Sequence, residues 1–342
     1  MRESILIVSP KTSGIGGVAQ HVSKLAQLLR ERGYEVDIIS CENAPCIRRR
    51  GLANPSFILS SSLKAMLSGR YDVVNAHNVP SAPAMRLARA ERRVLTIHGV
   101  FSEQVSTLHR GLYPRLAKLL EGLAVGWADT VTLVSRQALE AYRRLYPRGR
   151  FAYVPNAIDL RDLPPPGEAR RLYDPQVVYV GRLSREKGVD VYVEAARLLP
   201  DAHFLVVGDG PLRGELEGRA PDNVHFLGYM ERGEALRLVA GSDVYVQPSR
   251  KEGLSTSLLE AMALRVPVVA SRVGGNVELV RDGVTGLLVA PDDPSGLAGA
   301  VGRVLGDRGL ASRLAEEAYR LVENEYSWSR VVELYLEVFG LA

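Results

Sequence analysis

The chain has 342 residues, of which 46% are hydrophobic and 24% charged, and its formal net charge at pH 7 is +4. This length predicts two domains with sizeable cores. No apolar run approaches the roughly 20 residues that span a bilayer, which excludes a transmembrane helix. Met1–Pro10 is predicted to be a first strand and not a cleavable signal, so we expect a soluble, cytoplasmic protein.

Positive charge is concentrated in the first part of the chain. Residues 1–150 carry 22 Lys and Arg against 11 Asp and Glu, whereas the remainder carries 21 against 28. We therefore expect the first domain to meet an anionic partner. Nucleic acid explains this charge poorly, because no aromatic-interleaved basic platform or recognition motif accompanies it.

The first predicted strand, Ile5–Val8, is followed after a short segment by the glycine pair Gly16-Gly17. Residues 14–19 fit the pattern G-x-G-x-x-A, and Asp37 lies eighteen residues beyond them. A dehydrogenase uses such glycines for a pyrophosphate and such an acid for a ribose. In that fingerprint the strand runs almost directly into the first glycine, whereas Ser9–Ser13 intervene here, so a dinucleotide site is not favoured.

Metal-binding patterns are absent from the sequence. Cys41 and Cys46 are its only cysteines, too few for a zinc site by themselves, and we expect both to be free thiols. An Asp-x-Asp pair, which would offer oxygen ligands to Mg²⁺ or Mn²⁺, does not occur. The sequence therefore predicts no metal site.

Two basic segments of the first domain are candidate contacts for an anionic partner, Arg48–Arg50 and His109–Leu120. The second mixes basic residues with leucines at helical spacing, which is the pattern of an interfacial helix. A core-packed helix with a solvated basic edge explains the same pattern, and both interpretations stay open. The first interpretation allows peripheral association with the inner face of a membrane.

His98 lies between these segments, directly after the buried-type strand Val94–Ile97 and before Gly99. Ligands of parallel α/β sheets bind beyond the carboxyl ends of the strands. A lone histidine is often structural, but this position makes His98 a candidate for function.

A proline-rich, charged stretch, Leu163–Arg171, marks the domain boundary. We predict a first domain over residues 1–160, a linker over 161–173 and a second domain over 174–325. The amphipathic pattern over 326–342 predicts a closing helix.

The second domain repeats one unit, an apolar strand with a glycine at its carboxyl end and then a helix. The three clearest strands are Val177–Val180, Phe204–Val207 and Val224–Leu227. The glycines that follow them are Gly181, Gly208 with Gly210, and Gly228. This recurrence is typical of a parallel α/β sheet that binds a ligand at its carboxyl edge.

Glu252 and Glu260 enclose the most informative stretch, which contains Gly253 and the hydroxyl-rich run Ser255-Thr256-Ser257. The hydroxyls can cap a helix that continues through Leu258, with Glu252 on the loop before it and Glu260 inside it. Eight residues along such a path span roughly 12 Å, about the distance from a sugar to the ribose of a nucleotide diphosphate sugar. The free N–H groups between the two carboxylates can bind a phosphate. The carboxylates themselves can accept hydrogen bonds from hydroxyl groups.

These motifs, in this order, resemble the retaining glycosyltransferases of family 4, which have the GT-B architecture. The resemblance covers essentially the whole chain and includes Thr96–Gly99, Val154–Asp159 and Gly208–Pro211. It implies an α/β fold of two facing Rossmann-like domains with a cleft between them and a C-terminal helix that crosses back to the first domain. Where the family often has Phe-Gly after the Glu-Gly of its signature, this chain has Leu254-Ser255, which leaves the sugar-side contacts open.

The resemblance implies metal-independent transfer of a sugar from a nucleotide diphosphate sugar to a hydroxyl acceptor, with no separate cofactor. The acceptor would be a glycolipid, a lipid-linked saccharide or a polysaccharide precursor. His98 and Glu252 would be catalytic, and Arg182 with Lys187 would stabilise the diphosphate. The full implied donor-binding set is Gly16, Gly17, Arg182, Lys187, Gly208, Gly210, Gly228, Gly253, Ser255, Thr256, Ser257, Leu258 and Glu260.

Two other functions are compatible with this fold. One is a nucleotide-sugar epimerase or phosphorylase, and the other is a catalytically silent protein that binds nucleotide sugars. The silent protein is disfavoured, because His98, Arg182, Lys187, Glu252 and Glu260 are all present.

Overall fold

The computed structural model of the chain describes residues 3–12, 17–47, 49, 52–98 and 113–342. The chain forms two compact units. The first comprises Met1–Pro155 together with Val331–Ala342, and the second comprises Asn156–Arg330.

The first unit contains a parallel six-stranded sheet in the order β2-β1-β3-β4-β5-β6. Its strands are β1 Ser4–Val8, β2 Glu35–Ile39, β3 Arg70–His77, β4 Arg89–Ile97, β5 Thr130–Leu133 and β6 Phe151–Tyr153. Ile5 to Val8 are completely buried. Helices cover both faces of a parallel sheet, which explains why this strand is a continuous apolar run.

The helices of the first unit are α1 Gly17–Glu31, α2 Ala53–Leu67, α3 Ala82–Leu87, α4 Tyr113–Trp127 and α5 Arg136–Leu145. The C-terminal helix, Trp328–Phe339, also belongs to it from Val331 onward. Phe57 of α2 and Tyr142 of α5 share a core with Leu6 and Val8 of β1. The C-terminal helix packs beside α1, where the Tyr335 hydroxyl lies 2.8 Å from His21 Nε2. The prediction that this helix returns to the first domain is confirmed.

The second unit contains another parallel six-stranded sheet, in the order β12-β11-β10-β7-β8-β9. Its strands are β7 Gln176–Val180, β8 His203–Val207, β9 Val224–Gly228, β10 Val244–Gln247, β11 Val268–Ser271 and β12 Leu287–Val289. Val177 and Tyr179 belong to the core on one face, and Val178 to the core on the other. The strand order reverses between β10 and β7, and a ligand crevice is expected at such a reversal.

The helices of the second unit are α6 Val189–Ala196, α7 Arg213–Glu217, α8 Arg232–Ala240, α9 Thr256–Ala263, α10 Asn276–Leu279, α11 Pro294–Gly306 and α12 Arg308–Leu321, and the C-terminal helix of the first unit is α13. The segment predicted as a linker lies against α8. The Arg170 N–H donates to the Arg237 carbonyl over 2.8 Å, and the Arg237 side chain pairs with Glu168 over 2.7 Å.

One sequence expectation is wrong. Cys41 and Cys46 form a disulfide, with their Cα atoms 5.2 Å apart, where two free thiols were expected. A turn after β2, in which the Ala44 N–H donates to the Ser40 carbonyl over 2.8 Å, folds the chain back and brings the two cysteines together.

Candidate active site

Glu252 is held by three protein donors at the carboxyl edge of the second sheet. Lys187 Nζ lies 3.0 Å from its Oε1 and 2.7 Å from its Oε2. Gln247 Nε2 and Ser249 Oγ each donate to Oε2 over 3.0 Å. The Glu252 side chain is only 9% exposed, so this carboxylate depends on these partners for its hydrogen bonds.

The orientation of the Gln247 amide follows from its neighbours. Its Oε1 accepts the Tyr245 hydroxyl hydrogen over 2.8 Å, which leaves Nε2 to donate to Ser249 and Glu252. Tyr245 is completely buried, and burial raises the pKa of its hydroxyl, which therefore stays a neutral donor. A chain of hydrogen bonds thus runs from Tyr245 through Gln247 to Glu252.

The loop from Glu252 to Ser255, here called the signature loop, ends in a capped helix, as the sequence predicts. Ser255 has an extended backbone, and its Oγ accepts the Leu258 N–H over 3.3 Å at the start of α9. Thr256 and Ser257 form the first turn, where backbone N–H groups have no acceptor within the helix. Asn156 donates to the Leu254 carbonyl over 2.9 Å and fixes the same loop.

Glu260, in the second turn of α9, pairs with an arginine that sequence reasoning did not identify. Arg232 Nε, at the start of α8, lies 2.8 Å from Glu260 Oε1. The Glu260 side chain is 17% exposed, and its burial raises the pKa of the carboxyl, an effect that the charge and hydrogen bond of Arg232 oppose. The net pKa stays above the ordinary value because removal of the carboxylate from water outweighs the single ion pair.

Glycines allow the loops beyond the strands to approach one another closely. Gly274, after β11, has φ +45°, and a Cβ there would lie 1.9 Å from the Glu252 carbonyl oxygen. Gly208, after β8, has φ +131°, and a Cβ there would lie 1.9 Å from the carbonyl oxygen of Gly181. Only glycine fits such positions, so these two contacts fix the loops that carry Glu252 and Arg182.

The remaining predicted donor residues of the second unit lie on the same edge of the sheet. Gly210 follows β8, Gly228 ends β9, and Gly253 lies in the signature loop. Arg182 follows β7 with an exposed side chain. Among the described residues, none forms a hydrogen bond or ion pair with its guanidinium group.

His98 belongs to the first unit and follows β4 directly. Its backbone N–H donates to Asn78 Oδ1 over 3.1 Å, and its Nε2 lies 3.0 Å from Nδ1 of His77, the last residue of β3. Gly17 begins α1, whereas Gly16 lies outside the described residues. Arg48, Arg50 and residues 109–112 also lie outside them.

Each of the two units matches a model of a known protein family. Residues 15–162 match the model described as Glycosyltransferase Family 4, and residues 174–307 match the model described as Glycosyl transferases group 1. The chain belongs to glycosyltransferase family 4. An α-D-kanosaminyltransferase of Streptomyces kanamyceticus is 35% identical over 69% of this chain and 67% of the relative. A D-inositol 3-phosphate glycosyltransferase of Actinosynnema mirum is 30% identical over 97% and 94%.

Solved structures of the GT-B fold superpose on this family member. A sucrose-phosphate synthase from Thermosynechococcus elongatus matches with a TM-score of 0.87 and 24% identity over 100% of both chains. Anabaena HepE, in complex with UDP and glucose, matches with a TM-score of 0.79 and 22% identity over 100% of both chains. The protein is thus a GT-B enzyme of two Rossmann-like domains that transfers glycosyl groups.

The described residues contain neither a cluster of metal-ligating side chains nor a helix that could span a membrane. None of their His, Cys, Asp and Glu side chains form a group of three or more that could hold a metal ion. None of their helices is long and apolar enough to cross a bilayer. Metal independence itself stays a prediction.

Proposed function

We propose that the protein is a retaining, metal-independent glycosyltransferase that uses a nucleotide diphosphate sugar as its donor. The observation that carries this proposal is the Lys187–Glu252 pair beside the N-terminus of α9. The Lys187 ammonium can bind a phosphate, and the Glu252 carboxylate beside it can accept hydrogen bonds from sugar hydroxyls. Anabaena HepE, a protein of the same fold, has been crystallised with UDP-glucose, which supports a donor of this class.

The unused hydrogen-bond capacity of this pair supports phosphate binding by Lys187 and sugar binding by Glu252. A lysine ammonium has three donors, and two are used on the oxygens of Glu252, which leaves one for a phosphate oxygen. Glu252 Oε2 accepts three donors, whereas Oε1 accepts only Lys187 among the described residues. Oε1 therefore retains the capacity to accept a hydroxyl hydrogen of the donor sugar.

Stabilisation of the leaving diphosphate would come from charge and dipoles already in place. Arg182 offers a planar fork of donors, Lys187 a point charge, and the first turn of α9 its backbone N–H groups. In the transfer, the bond from the anomeric carbon to the diphosphate oxygen breaks and a bond to the acceptor oxygen forms on the same face. The departing phosphate oxygen takes the acceptor proton, so no protein nucleophile is required.

The test is transfer from a panel of UDP-, GDP- and ADP-sugars, with product anomers identified by proton NMR and with excess EDTA in a parallel arm. We expect one donor to give a product with the donor's anomeric configuration, at a rate that EDTA leaves unchanged. An inverted product would contradict the retaining mechanism. Loss of activity in EDTA, restored by Mg²⁺ or Mn²⁺, would contradict metal independence, and interconversion of sugars without acceptor would indicate an epimerase.

We propose further that the acceptor is anionic or lipid-linked and is reached at the inner face of a membrane. Side chains of α2 and α4 carry exposed apolar groups on the first unit, and α3 packs against both helices. The exposed residues are Leu59, Leu63, Met66, Leu67, Leu116, Leu119, Leu120 and Leu123. The only acid within α2, α3 and α4 is Glu121, which is completely buried, so the exposed charge of these three helices is basic.

A further inference from the structure

Three imidazoles lie together in the first unit, where β3 and β4 end. The ring centroids of His77 and His98 are 5.3 Å apart, and those of His21 and His98 are 4.9 Å apart. His77 is completely buried, and His21 is 5% exposed. The first sheet reverses its strand order between β1 and β3, so His77 lies where this fold gathers ligand-binding groups.

The hydrogen bond between two of these rings fixes the position of one proton. His77 Nδ1 and His98 Nε2 are 3.0 Å apart, so one nitrogen donates and the other accepts. His77 Nε2 is buried and has no hydrogen-bond partner among the described residues. A buried N–H without an acceptor is rarer than an unused acceptor, so the His77 proton belongs on Nδ1. His98 must then carry its own proton on Nδ1.

Burial keeps His77 and His21 neutral. Burial and then the charge of His98 lower the pKa of His77. Burial, and then the charges of His98 and His77, lower the pKa of His21. Tyr335, which contacts His21 Nε2, has its pKa raised by burial and so contributes a neutral hydroxyl. The bond between the two rings would be lost only if both facing nitrogens, His77 Nδ1 and His98 Nε2, carried a proton. The lowered pKa of His77 makes that state unfavourable.

Backbone strain accompanies this arrangement. Asn78, directly after His77, has φ 62° and ψ 163°, a conformation that is nearly restricted to glycine. Its N–H donates to the Thr96 carbonyl over 2.8 Å, and its Oδ1 accepts the His98 N–H over 3.1 Å. The end of β3 thus holds both the backbone and the ring of His98.

We propose that His77 is a positioning residue: its Nδ1–H donates to His98 Nε2 and holds His98 as a neutral, Nδ1-protonated imidazole. The inference rests on the proposed function in one respect, the role of His98 beside the donor sugar. Its structural content, the tautomer of His98, is independent of that role.

The first test is the tautomer of His98 in the unaltered protein. Long-range ¹H–¹⁵N correlation spectra of ¹⁵N-histidine-labelled protein distinguish protonated from bare ring nitrogens, and the His98→Ala variant assigns the signals. We expect His98 with a protonated Nδ1 and a bare Nε2. A His98 protonated on Nε2 overturns the inference, whatever the activity of His98→Ala. If His98→Ala is fully active while the tautomer is as expected, the proposed role of His98 fails and the tautomer assignment stands.

Variants of His77 provide the second test. The amide nitrogen of His77→Asn occupies the place of Nδ1 and can still donate to His98, whereas His77→Leu fills the site without a donor. We expect His77→Leu to lower kcat about tenfold or more, the value of one lost hydrogen bond, with the donor KM little changed. His77→Asn should restore kcat to within a few-fold. Equal kcat losses in both variants, with unchanged thermal midpoints and a His98 spectrum like that of the parent protein, would overturn the positioning role.

Discussion

Glu260 is a largely buried carboxylate that pairs with Arg232 and that we expect to bind the nucleotide. We expect Glu260→Gln to weaken binding of the free nucleotide diphosphate about ten- to a hundredfold, because a hydrogen bond to a charged group contributes roughly 1.5–3 kcal/mol. Calorimetry measures this affinity directly. A matched control is Glu316→Gln, which removes the exposed carboxylate that pairs with Arg265 over 2.9 Å and should leave the affinity unchanged.

The raised pKa of Glu260 adds a pH dependence to that prediction. As the pH falls through this raised value, the carboxylate gains a proton and one of its oxygens becomes a donor, so nucleotide affinity should decrease at a higher pH than for an ordinary glutamate. Glu260→Gln should not show this decrease. An affinity that falls equally with pH in the parent protein and in Glu260→Gln would remove Glu260 from the nucleotide site.

At the scale of elements, the packing of loops through glycine is a separate determinant of the site. Gly274→Ala places a Cβ 1.9 Å from the backbone oxygen of Glu252 at φ +45°, so the signature loop must move. We expect lower stability together with a large loss of activity.

Gly299→Ala is the matched control, because Gly299 is exposed within α11 and nothing lies within 4 Å of the position that a Cβ would take there. That change should stabilise the protein by about 1 kcal/mol. Thermal unfolding and transfer rates of the two variants distinguish a site effect from a general cost of adding a methyl group.

Elements were more predictable from the sequence than the contacts between them. The apolar runs Ile5–Val8 and Val177–Val180 form central strands, and Ser255 caps α9, since these features depend on local pattern and burial. The Lys187–Glu252 and Arg232–Glu260 pairs join loops and helices that are far apart in sequence. Their partners depend on where each strand lies in the sheet, which charge type and spacing do not encode. For the same reason the sequence offered no signal for the His77–His98 bond.

For the whole molecule, we propose one explanation for the uneven charge and the exposed apolar side chains of α2 and α4, which is reversible attachment to an anionic membrane. Leu67 is 88% exposed and Leu119 is 61% exposed, an unfavourable arrangement for surfaces that meet only water. Apolar burial in the interface and attraction of basic residues, worth about 1 kcal/mol each near an anionic leaflet, would combine without a spanning helix.

Vesicle co-sedimentation tests this attachment with matched variants. We expect binding to anionic vesicles, weaker binding to neutral ones, and partial release by high salt, because screening removes only the electrostatic part. Leu63→Glu on α2 and Leu119→Glu on α4 should each weaken binding, since they add a negative charge to the surface that would enter the interface. Leu198→Glu, at a leucine of the second unit that is 54% exposed, adds the same charge elsewhere and should bind like the parent protein.

Equal, negligible sedimentation with both kinds of vesicle would contradict membrane attachment and favour a soluble phosphorylated acceptor. Equal weakening by all three variants would place the effect in net charge and not in the leucines of α2 and α4.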